Sequence, residues 1–104
     1  MIVELREYKL RPDKIQTWLD WMKQDVIPHQ ISKGMRVIDT YIYQDESGDT
    51  WFVWLREFDN QEQKAKVYAN TYDEYWIEHY RPKVFQHIYQ DSIRVRELSP
   101  ANLT

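Results

Sequence analysis

Two copies of one short motif constrain this chain more than any other feature: Leu5-Arg6-Glu7-Tyr8 and Leu55-Arg56-Glu57-Phe58. A weaker echo, Val95-Arg96-Glu97-Leu98, stands near the end. Each copy lies in a run whose alternation predicts a β-strand. The first two are each followed by a long stretch of helical pattern. A strand–helix–strand unit used twice is the simplest chain with this spacing.

Ile2 to Leu10 reads as the first strand. Pro12, near the first helical position, opens a helix. Its Ile15, Trp18, Leu19, Met22 and Val26 form one stripe at helical spacing, with Trp21 at the stripe's edge, toward the second helix or a partner. Pro28 should kink or end this helix, and Gly34 should stop its last turn. Met35 to Gln44 reads as the second strand, Asp45-Glu46-Ser47-Gly48-Asp49 as a hairpin turn, and Trp51 to Phe58 as the third strand. Asp59-Asn60 caps a helix through Ala69. After an interruption at Asn70-Thr71, a second piece runs from Asp73 to Tyr89, with Ile77, Tyr80, Val84 and Ile88 on its stripe and a kink at Pro82. Asp91 to Leu98 is the fourth strand, and residues 99–104 read as a tail. The order β-α-β-β-α-β with right-handed crossovers predicts an α+β, ferredoxin-like domain over residues 1–98. Its four-stranded antiparallel sheet carries the helices on one face.

At 104 residues the chain is sized for one domain. A net charge of −3 with no dense Lys/Arg cluster argues against nucleic acid as a partner. Cysteine is absent, which removes disulfides and thiolate chemistry and fits a cytoplasmic setting. Charges interrupt every apolar pair from Ile2 to Glu7, unlike a signal peptide. No apolar run approaches the ~20 residues of a membrane span, so no membrane partner is expected. Two glycines are too few for phosphate-cradling or dinucleotide loops. His79 and His87 lie eight positions apart, too far along a helix to share a metal. We therefore expect no metal and no cofactor, and read His29, His79 and His87 as structural or surface side chains.

Five Trp and eight Tyr exceed what one small core needs. On the strand alternation, the sheet face turned away from the helices is expected to carry Glu4, Arg6 and Tyr8 from the first strand. Asp39, Tyr41 and Tyr43 would come from the second, Phe52, Trp54, Arg56 and Phe58 from the third, and Arg94, Arg96 and Leu98 from the fourth. That much aromatic surface calls for cover, and a second copy related by two-fold symmetry supplies it. The expected product is a homodimer, a dimeric α/β barrel, with a positively leaning space between the sheets. Glu4, Arg6, Tyr8, Tyr41, Tyr43, Trp54 and Arg56 are its candidate ligand-binding residues. Arginines there suit a carboxylate or oxyanion, tyrosines donate hydrogen bonds, and Trp54 stacks on a ring. No catalytic residue is singled out.

Val3-Glu4-Leu5-Arg6-Glu7-Tyr8-Lys9-Leu10-Arg11-Pro12-Asp13-Lys14 resembles the opening signature of the NIPSNAP family, and Phe52-Val53-Trp54-Leu55-Arg56-Glu57-Phe58 its third strand. Asp73-Glu74-Tyr75-Trp76 is similar to its Asp-Pro-Glu-Trp stretch. Arg56 and Glu57 replace the Trp and Arg usual there. The resemblance implies a dimeric α+β barrel and marks Glu4, Arg6, Tyr8 and Trp76 as motif residues. It also implies relatives that include cofactor-independent oxygenases, haem-degrading enzymes, isomerases and mutarotases. The function expected is binding of a small, aromatic or acidic metabolite. This could be coupled to cofactor-independent oxygenation or isomerisation, or the chain could be a non-catalytic ligand-binding or structural dimer module.

Overall fold

The structure, a computed structural model, describes residues 1–103. Strands β1 (Ile2–Lys9), β2 (Arg36–Gln44), β3 (Thr50–Phe58) and β4 (Arg94–Leu98) form one antiparallel sheet in the order β2-β3-β1-β4. Between β1 and β2 lie helix α1 (Ile15–Trp21), a widened π turn (Met22–Val26) and helix α2 (Ile27–Ser32). Between β3 and β4 lie α3 (Gln61–Thr71), α4 (Glu74–His79) and α5 (Arg81–His87). This is the ferredoxin-like α+β arrangement that the doubled motif predicts.

Local chemistry sets the boundaries. The Asp45 carboxylate accepts from the backbone of Ser47 and Asp49 and from Trp51 Nε1, closing the β2–β3 hairpin. Pro28 has no N–H and crowds the carbonyl four residues back. The π turn just before it, in which Ile27 N–H reaches Met22 C=O, lets the helix pass through Pro28 and run on to Ser32. Gly34 then ends it with φ +101°, a conformation glycine adopts without strain. Asn60 caps α3 through Gln63 N–H, and Asp73 caps α4 through Trp76 N–H. The fourth strand starts later than expected, because a 3-10 turn occupies Gln90–Ser92. Ile77 is exposed, off the inner stripe where Tyr80 and Ile88 are buried.

In the β1–β3 register Leu5 faces Leu55, so a local two-fold relation passes between them. It exchanges Arg6 with Arg56, and Glu4 with Trp54.

One expectation is reversed. Glu4, Tyr8, Phe52, Trp54, Arg56 and Phe58 point at the helices, not away from them: all six are buried. Tyr8 and Phe52 meet Trp18 edge-on, and Arg56 bonds Gln30 and Tyr72. A buried ion pair whose hydrogen bonds are all made can sit inside. The aromatic rings also bury more surface against helices than Val3, Leu5, Val53 and Leu55 would. Those aliphatic residues, with Asp39, Tyr41, Tyr43, Arg94, Arg96 and Leu98, occupy the face without helices. Ile38 is the extra residue of a bulge between Val37 and Asp39. Trp21 packs on Tyr80 and His87 of the second helical region.

Candidate functional site

The floor beneath the helices is polar and fully connected. Arg56 is 0% exposed and Glu4 1%. All five Arg56 N–H groups are spent: Nε and Nη2 on Glu4 Oε1 (3.2 and 2.5 Å), Nη1 on Gln30 Oε1 (3.1 Å) and the Tyr72 hydroxyl (2.5 Å), and Nη2 also on the Tyr68 hydroxyl (2.9 Å). The Tyr68 hydroxyl in turn donates to Glu4 Oε2. Lys64 Nζ lies 3.0 Å from that same oxygen. Burial alone would raise the Glu4 carboxyl, but the Arg56 charge and hydrogen bonds from Tyr68, Arg56 and Lys64 outweigh it and bring the pKa down to about 2. Glu4 and Arg56 have no capacity left for a ligand.

Arg6 differs. Its Nε donates to the Tyr8 hydroxyl (2.8 Å), and Nη1 reaches Glu4 Oε1 and the Tyr68 hydroxyl at 3.3 Å each. Its Nη2 has no acceptor among the described residues. One carboxylate therefore faces three cations, Arg6, Arg56 and Lys64, and Arg6 holds the weakest share of it.

Arg6, Tyr8 and Trp54 line a cavity of about 140 Å³ between sheet and helices. The remaining wall is Trp18, Met22, Val26 and Gln30 from the first helical region, Tyr72, Trp76, Arg81, Val84 and Phe85 from the second, and Ile88 and Ile93 beyond it. Arg81 is exposed and stands at the rim. The Tyr8 oxygen accepts from Arg6 Nε and from Trp54 Nε1 (3.1 Å). Burial pushes the Tyr8 phenol up against the lowering pull of Arg6, so it stays protonated at neutral pH. No carboxylate, imidazole or aliphatic hydroxyl lines the cavity among the described residues.

Of the seven residues expected at a site, Arg6, Tyr8 and Trp54 line this cavity, and Glu4 and Arg56 lie behind its wall. Tyr41 and Tyr43 are on the opposite face of the sheet, where Tyr43 stacks on Trp51 and bonds Glu7. The cavity that three of the seven line lies within one chain, between sheet and helices. Trp76, marked by motif resemblance, belongs to it. Gln30, Tyr68, Tyr72 and Arg81 were not anticipated. The signal that could have found three of the aromatic partners is the run Tyr68, Tyr72, Trp76 at i, i+4, i+8, one aromatic ridge across a helix break. His87 is buried, with Nδ1 bonded to Lys83 C=O (2.7 Å), His29 stacks on Tyr80, and His79 is exposed. Among the described residues no three His, Asp or Glu side chains gather as metal ligands. Among the described residues no helix is long and apolar enough to cross a membrane.

No family model matches the chain, and no curated protein matches it. Solved structures do. The protein Atu4242 from Agrobacterium tumefaciens superposes with a TM-score of 0.81 at 20% identity over all of this chain and 97% of that one. A second crystal structure of it names it a NIPSNAP family protein with unknown function. An uncharacterised NIPSNAP domain protein from Burkholderia xenovorans gives 0.77 at 18% identity, over 100% of this chain and 98% of the other. An antibiotic biosynthesis monooxygenase gives 0.62 at 16% identity, over 96% and 98%. The chain shares one fold with proteins named NIPSNAP; identities this low speak for the fold alone.

Proposed function

We propose that this protein, NIPSNAP-like in its first strand and in its fold, binds a small ring-bearing anion in the cavity between sheet and helices, with Arg6 holding the anionic group. The observation that carries this reading is the state of Arg6: a guanidinium with unused N–H groups, beside an overcommitted carboxylate, in a wall of mostly aromatic and apolar side chains to which Gln30 adds an amide and Arg81, at the rim, a second guanidinium. An apolar cavity of ~150 Å³ takes up benzene, so the size fits one ring. A charge-assisted hydrogen bond in such a place contributes about 1.5–3 kcal/mol. Trp18, Trp54 and Trp76 report occupancy by fluorescence. Benzoate should quench them and benzylamine should not, and Arg6→Met should weaken benzoate binding about 10- to 100-fold. Equal quenching by the amine, or an unaffected variant, would remove Arg6 from the role.

Binding is favoured over turnover because the wall offers no base or nucleophile. An oxygenase activity, the kind the monooxygenase neighbour's name suggests, or an isomerase activity would rest on the Tyr8 hydroxyl as proton donor. Product appearing in the same incubations is its test.

We also propose that the helix-free face pairs with a second copy. Tyr41 is 51% and Ile38 46% exposed, beside half-buried Val3, Leu5, Val53 and Leu55. Glu7, Asp39 and Glu57 share that face with Arg36, Arg94 and Arg96, a mixture that complements itself under a two-fold axis. Sedimentation should show a dimer at micromolar concentration and a shift to monomer in Tyr41→Glu. A wild-type monomer under those conditions would end this part of the proposal.

A further inference from the structure

We infer that Tyr8 and Tyr72 are obligate hydrogen-bond donors to the ligand, and that the cavity therefore selects planar oxyanions that present acceptor oxygens only. The class is an aromatic carboxylate, or an ionised phenol or enol beside a carbonyl. Amines and simple alcohols are disfavoured. This rests on the binding reading given above and deepens it.

The argument is a count of lone pairs and protons. A phenol oxygen accepts along its lone pairs and donates one O–H. At Tyr8 two donors already point at the oxygen, Arg6 Nε and Trp54 Nε1. At Tyr72 two others do, Arg56 Nη1 and Gln30 Nε2 (3.3 Å). Neither hydroxyl donates to anything among the described residues. Tyr68 shows the contrast: it also accepts two hydrogen bonds, but its proton goes to Glu4 Oε2, and it does not line the cavity. Tyr8 and Tyr72 both line it. With Arg6 Nη2 they leave the wall with surplus donors and no matching acceptor among these three side chains. A bound group could accept from these donors, but its own N–H or O–H would find no acceptor on them, and Gln30 Oε1, which also lines the cavity, is already taken by Arg56 Nη1; a buried donor left unpaired costs more than a neutral contact. The charged partners behind each phenol also polarise its O–H, through Arg6 at Tyr8 and through Arg56 at Tyr72.

A purely structural role must be separated from this one, because Tyr8→Phe also strips an acceptor from Arg6 and Trp54. The discriminating quantity is a ratio. Wild type, Tyr8→Phe and Tyr72→Phe are titrated with benzoate and with toluene, following tryptophan fluorescence, with circular dichroism to confirm folding. Loss of packing weakens both ligands together; loss of a donor weakens benzoate alone. In each variant the benzoate Kd should rise about tenfold, while that of toluene changes less than about twofold. Should Tyr8→Phe fail to fold, Tyr72→Phe carries the test, since Tyr72 is only half-buried. Wild-type binding of benzoate with an unchanged ratio in the folded variants overturns the inference and leaves Arg6 as anchor. No benzoate binding by the wild type overturns both.

Discussion

Glu4→Gln should lower the free energy of unfolding by about 3–5 kcal/mol at neutral pH, the range for breaking a buried ion pair from one side. The amide leaves the Arg56 guanidinium, 0% exposed, without its counter-charge; with its carbonyl oxygen kept toward Arg56 and Arg6, it turns an NH2 donor on Lys64 and Tyr68, which bond the other oxygen. The pH dependence carries the same information. The Glu4 carboxyl is lowered from an ordinary 4.5 to about 2 in the folded protein. A depressed carboxyl contributes stability that is complete above the unfolded value and is lost as pH falls through the folded one. The window is therefore pH 4.5 down to about 2, and a shift of this size corresponds to about 3 kcal/mol. Urea unfolding at pH 7, 4 and 3 should show wild type losing stability across that window faster than Glu4→Gln, so that the two curves converge. Parallel pH profiles would mean that Glu4 is not the group titrating. Combining Glu4→Gln with Arg56→Met should cost less than the two changes summed, because the orphaned charge disappears with its partner.

Trp18→Ala should cost about 3–5 kcal/mol, the range for deleting a large buried aromatic side chain. Trp18 is 1% exposed and meets Tyr8, Trp21 and Phe52 edge-on. It is the knob that joins the first helix to the sheet. Trp18→Phe should cost clearly less. It keeps a ring in place, and the indole N–H it removes is buried without a hydrogen-bond partner, so no polar contact is lost with it. Denaturant midpoints of the two variants test this. Equal losses would show that the whole indole volume, not the ring contact, supports the joint. Because Trp18 also lines the cavity, the alanine variant should enlarge it and take up toluene more readily, while the charge at Arg6 is untouched.

The architecture was legible because its signals are local. The doubled Leu-Arg-Glu motif, the Asp45–Asp49 turn and the stripe from Ile15 to Val26 each depend on residues close in sequence; the break expected at Asn70-Thr71 falls just later, because α3 runs on through Thr71 and ends at Tyr72. For β1 and β3 the choice of face was not legible, because alternation gives the period of a strand and not its polarity, whereas Asp39, Tyr41, Tyr43, Arg94, Arg96 and Leu98 lie on the helix-free face as expected. The expectation that Arg56 and its neighbours turn away from the helices then pointed the wrong way. It fails here because Arg56 meets Glu4 across the strand pair and Gln30, Tyr68 and Tyr72 from helices far away in the chain. No short-range pattern announces that all five N–H groups will find an acceptor. Tyr41 and Tyr43 illustrate the same gap from the other side: their alternation was read correctly, but they sit back to back with the cavity residues, not beside them. Arg6, Tyr8 and Trp54 were picked for their chemistry, and the structure brings those three to one cavity wall.

The relation through Leu5 and Leu55 seats two arginines in equivalent places and gives them a single acid to divide. Had the later half kept an acid where Trp54 stands, each guanidinium would own a counter-ion, and the sheet would offer solutes an electrically closed floor. One departure from repetition splits the labour: the later arginine is spent on rigidity, and its earlier twin is left able to recruit from outside. A scaffold built on repetition thus keeps a chemical handle by leaving one of its own charges only partly compensated.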